Sequence, residues 1–156
     1  MDRLQSRTRW GLAVGVLVAS IAFGGLMASA DEAASWDQER VTALAEKLAK
    51  AVKELYDAEY KAPDSFSGIG GGSERHEFMD RLRLIEHESR HLAASLEKGA
   101  KAKSTKGSVL RIRELNDDLA MYGRRMALLD PVLANFAAFE DLLDQILPFY
   151  GLSKRR

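Results

Sequence analysis

Residues 112–129 read IRELNDDLAMYGRRMALL. Ile112, Leu115, Leu119, Tyr122, Met126 and Leu129 step by three and four, the a/d spacing of a helix that packs one apolar seam against others. A strand would need alternation with period two, and no stretch of the chain offers it. Working outward from this helix, Asp130-Pro131 reads as an N-cap followed by proline in the first helical turn. A fourth helix is therefore predicted from 130 to about 147, with Val132, Phe136, Phe139, Leu143 and Ile146 on its inner side.

Upstream, residues 98–108, KGAKAKSTKGS, read as a basic linker closing a second helix from Ser73 to Gly99. That helix has the stripe Phe78, Leu82, Ile85, Ser89, Leu92 and Leu96. Residues 62–72, APDSFSGIGGG, read as a flexible connection, because neither proline nor a glycine run favours a helix interior. A first helix over about 35–60 carries Val41, Leu44, Leu48, Val52, Leu55 and Tyr56. Its start, Ser35-Trp36-Asp37-Gln38, fits an S-x-x-Q capping box. Four amphipathic segments joined by short links predict an all-α, up-down-up-down four-helix bundle. The alternative is a three-helix bundle with a loosely attached first helix.

The N-terminus predicts export. Arg3, Arg7 and Arg9 precede an uncharged stretch from Trp10 to Ala28, and Ala28-Ser29-Ala30 stands before Asp31-Glu32. Basic residues, an apolar run and small residues at a cleavage point make a secretory signal over 1–30, leaving a domain of residues 31–156. The alternative is an uncleaved inner-membrane anchor with the domain outside, since 19 uncharged residues approach the ~20 that span a bilayer. Contact with membrane is expected only in that case. Both readings put the domain in the periplasm or beyond.

From residue 31 onward there are 20 Lys+Arg and 22 Asp+Glu, a net charge of −2 that offers nucleic acid no basic footprint. The chain has no cysteine, which excludes disulfides, c-type haem and thiolate metal sites together.

Three constellations are candidates for chemistry. His87 and His91 are i,i+4 on helix 2, the spacing at which two imidazoles chelate Zn or Cu on one helix face. His76 lies about 16 Å further along the axis and cannot join them. The wheel turns all three away from the inner stripe. The run Lys98, Lys101, Lys103 and Lys106, continuing into Arg111 and Arg113, suits an anionic envelope surface or an acidic protein face. No aromatic residue interleaves it for stacking on bases. Helix 4 is apolar over about 180° of its wheel, more than one seam uses. Phe136, Phe139, Phe149 and Tyr150 are expected at a partner surface, with Phe149 and Tyr150 on an irregular tail beyond Pro148. The acidic strip Glu140, Asp141 and Asp144 is expected to meet the lysine run of a second copy.

The leading expectation is an exported, non-enzymatic domain that binds a partner protein or envelope component. A periplasmic metal-binding or metal-sensing protein using His87 and His91 is the alternative. An exported helical enzyme without a recognisable motif is the third possibility; a buried arginine–carboxylate cluster would favour it.

Overall fold

The computed structural model describes residues 34–62, 71–126 and 128–153. The expected leader over 1–30 and most of the 62–72 connection lie outside them. Four helices form: α1 Gln38–Lys61, α2 Gly71–Glu97, α3 Ala102–Gly123 and α4 Asp130–Ile146, followed by a 3-10 turn, Leu147–Tyr150. No strand occurs among the described residues. None of these helices is long and apolar enough to cross a membrane.

The chain runs up, down, up and down. Gln38 at the start of α1 bonds to carbonyls at the end of α2, and Arg75 at the start of α2 bonds to Glu59 near the end of α1. α1 packs along α2 and α4, and α2 packs along α3. The first helix is therefore an integral wall, which overturns the three-helix alternative.

The α2 stripe forms as its spacing predicts. Phe78, Leu82, Ile85, Ser89, Leu92 and Leu96 are all buried. Each of the five apolar side chains contributes roughly 1.5–3 kcal/mol by leaving water. α1 buries Val41, Leu44, Leu48, Val52 and Leu55 in the same way, and continues the stripe one turn further with Glu59.

The helix ends correct the sequence reading in several places. The cap of α1 is Asp37, whose Oδ1 accepts from Arg40 N at 3.0 Å, and not Ser35. Ala62 ends α1 in extended geometry, as expected of a residue followed by proline. α2 begins at Gly71, two residues before Ser73. It stops where the glycine predicts. Gly99 takes φ 84°, its N–H donates to Leu96 O at 2.9 Å, and Ala100 N–H donates to Ser95 O at 3.0 Å, the paired bonds of a Schellman motif.

That compact turn leaves most of the lysine run free to be helix. α3 starts at Ala102, so Lys103 and Lys106 stand on its first turns rather than in a linker. Its seam is accordingly Thr105, Val109, Ile112, Leu115 and Leu119. Gly123 ends α3 six residues before the expected point. Tyr122 and Met126 are then half-buried and Leu129 is 37% exposed. The N-cap of α4 is Leu129, and Asp130 and Pro131 form its first turn.

The tail is also regular. Beyond Ile146 the chain tightens into the 3-10 turn and closes at Gly151, φ 65°, with Leu152 N donating to Leu147 O at 3.0 Å. This turn carries Tyr150 into the core, where it is 4% exposed. Trp36 meets it edge-on at 5.4 Å between ring centroids. Gln38 donates to Leu96 O and Ala100 O, both at 3.1 Å, and accepts from Lys101 Nζ at 3.1 Å. One end of the bundle is thus sealed by residues from all four helix termini that meet there.

Candidate functional site: the cleft between α3 and α4

Three flanks of the bundle are packed helix against helix; the fourth is not. α3 and α4 have little close backbone approach, and a cleft of about 380 Å³ opens between them. Its α3 wall is Arg113, Asn116, Asp117, Ala120 and Arg124, one helical face beside the apolar seam. Its α4 wall includes Ala137, Glu140, Asp141 and Asp144. Apart from the buried Leu143 and Leu147, the side chains that line it are polar or small, so the helices have little to bury against each other here.

The polar groups of this cleft are incompletely used. Asn116 Nδ2 reaches Glu140 Oε1 only at 3.5 Å, the long limit of a hydrogen bond. Asn116 Oδ1 is buried without a partner. Arg113 is half-buried and has no ion-pair partner among the described residues. An unpaired buried acceptor costs about 1–3 kcal/mol, which a bound donor would recover.

Of the residues expected at a partner surface, Glu140, Asp141 and Asp144 line this cleft. Phe139 is 0% exposed and Tyr150 4%, so both rings belong to the core of their own chain. Phe136 is half-buried, its ring 6.3 Å from that of Phe139. Phe149 is half-buried beneath the guanidinium of Arg40, 5.5 Å from the ring centroid. Lys98, Lys101, Lys103 and Lys106 are exposed. Nothing in the sequence separates Arg113 from the rest of the basic run, or marks Asn116 and Arg124 at all. Their spacing of three and eight residues resembles any solvated helix face, and only the opposing wall makes it a cleft.

His87 and His91 are exposed on α2. His76, its side chain 76% exposed, lies 3.5 Å from Asp80. Among the described residues no group of three or more His, Cys, Asp or Glu side chains is placed to hold a metal ion.

The opposite end of the bundle holds a second feature. Glu59 is 1% exposed and accepts from Arg75 Nε at 2.9 Å, while Arg75 Nη2 donates to Glu59 O and Ala62 O. Burial pushes the Glu59 carboxyl above its ordinary value, against the opposing pull of Arg75. Glu59 Oε2 is buried without a partner. A shallow hollow of about 570 Å³ nearby is lined by Tyr56, Tyr60, Arg75, His76 and Met79. Tyr56 and Tyr60 stack at 6.3 Å there. Glu59 does not line this hollow, so the pair acts as a tie between α1 and α2. The sequence signal was a carboxylate four residues after Leu55, on the inner stripe.

No family model, curated protein or solved structure matches the chain.

Proposed function

We propose that the protein is an exported helical domain that acts by binding, taking a partner protein or envelope component in the cleft between α3 and α4. The carrying observation is the set of unspent polar groups on one face: the buried Asn116 Oδ1, Arg113 with no ion-pair partner among the described residues, and the loosely held Glu140. A donor from a partner would satisfy Asn116 and Glu140, and a carboxylate would satisfy Arg113. Protein side chains supply both. Export rests on the arginines, the apolar run and the Ala28-Ser29-Ala30 site of the leader.

Two measurements test the reading. Intact mass of the protein recovered outside the cytoplasm should correspond to a chain beginning at Asp31; recovery of only full-length, membrane-bound chain would favour the anchor. A pull-down from envelope extract should lose its partner when Arg113, Asn116 and Glu140 are all changed to Ala. Equal capture by the triple variant, with its melting temperature unchanged, would sink the cleft as the binding site.

A further inference from the structure

The partner that best fits this cleft is a second copy of the same chain, and the geometry points to pairing about a two-fold axis parallel to the helices. The inference rests on the binding reading above and makes it specific. At 100° per residue, Lys103, Lys106 and Arg113 stand on one stripe of α3, which turns outward beside the cleft. Asp117 and Arg124 continue that stripe, leaving it with a net charge of +3. On α4 the corresponding stripe carries Asp130, Glu140, Asp141 and Asp144, a net charge of −4. Both stripes face the same side of the molecule, one beside the other.

A two-fold axis along the bundle sets α3 of each copy against α4 of the other at equal height, which is how an isologous interface becomes self-complementary. The Asn116–Glu140 contact fixes the relative heights of the two helices. Arg113 of one copy therefore faces Asp141 and Asp144 of the other, and the reverse pair forms on the other side of the axis. Two of the large apolar side chains that remain exposed, Leu110 at 43% and Leu133 at 46%, stand on these same two stripes. The paired charges are thus flanked by apolar surface that pairing would cover. A flank about 26 Å long and two helices wide offers roughly 500 Å² per copy, near the lower bound of specific interfaces. Pairing should accordingly be weak, concentration-dependent and sensitive to salt.

The test uses the chain as purified from expressing cells, followed by sedimentation equilibrium, with Arg113→Glu and Asp141→Arg made separately. The wild type should pair reversibly, and raising salt from 50 to 500 mM should weaken pairing. Each single variant should pair at least tenfold more weakly while keeping its helical circular dichroism. Mixing the two variants should restore pairing. On one side of the mixed dimer both charges are reversed and so remain opposite, and the other side keeps the native pair. If either reversal disturbs folding, Arg113→Ala and Asp141→Asn replace them and should weaken pairing without reversing charge. A wild type that stays monomeric at several hundred micromolar, or a mixture that stays monomeric, overturns the second copy as occupant. Capture of a different envelope protein lost in both variants also overturns it, while leaving the binding reading intact. Failure of both capture and self-association would end that broader reading.

Discussion

The hydroxyls of Thr105 and Tyr150 share a hydrogen bond of 2.9 Å inside the protein, joining the first turn of α3 to the last turn of the tail. Thr105 Oγ1 also lies 3.1 Å from Lys101 O, so the threonine links its own helix start to the tyrosine ring. Burial raises the Tyr150 phenol above its ordinary value, and the bond to Thr105 opposes that shift. Tyr150→Phe should cost about 1 kcal/mol by deleting the bond while keeping the ring. Tyr150→Ala should cost about 3 kcal/mol or more by opening a cavity beneath Trp36. Denaturant melts of the two variants check the order; equal losses would mean that the ring packs no better than the hydroxyl bonds.

Ser89 is wholly buried and its Oγ has no partner. Ser89→Ala should stabilise the fold by about 1 kcal/mol, since a desolvated hydroxyl is removed and helix propensity improves. A rise of a few degrees in melting temperature is the expected readout. A fall would show that the hydroxyl is doing more than occupying space.

Glu59 sets a pH dependence of defined sign. Its folded pKa lies above the ordinary 4.5, so the folded state holds its proton more tightly than the unfolded chain. The stability this gives is complete below pH 4.5 and is lost as pH rises through the folded value. The exposed Asp57, held below its ordinary 3.8 by the Lys53 ammonium, has the opposite sign and acts only at lower pH. From pH 4.5 upward the wild type should therefore lose melting temperature relative to Glu59→Gln. A constant difference between the two would mean that the carboxyl titrates normally.

Gly99 occupies left-handed backbone with φ 84°. Gly99→Ala should cost about 1–2 kcal/mol through the conformation alone, since open space surrounds the position. Urea midpoints measure this directly. An unchanged midpoint would mean that the α2–α3 turn can re-form without the left-handed residue.

Much of the fold was legible because three- and four-residue spacing survives every local detail. The α2 stripe is buried throughout, Ser89 included, and α4 ends within one residue of its expected limit. The start of α3 was not legible. Lys101 to Gly107 has the composition of a loop, yet the turn at Gly99 already completes the reversal and the following residues are free to coil. Gly107 sits in that helix at an exposed position with open space around it. The fate of Tyr150 was hidden for a related reason, since Pro148 ends an α-helix but is accepted in the first residues of a 3-10 turn. The candidate site was half legible. The acids of α4 stood out as a strip, while Arg113 and Asn116 became significant only when placed across from them.

The contact between Trp36 and Tyr150 has a consequence for synthesis. The two rings come from opposite extremes of the described chain, and α1 packs along α4, the last of the described α-helices. A chain emerging N-terminus first, from the ribosome or on the far side of a membrane, can lay α1 on α2 and α2 on α3. One flank of α1 then stays wet until α4 emerges. The domain is thus incomplete until α4 has emerged, and a stop codon before Asp130 releases a product whose first helix has lost one of its two neighbours.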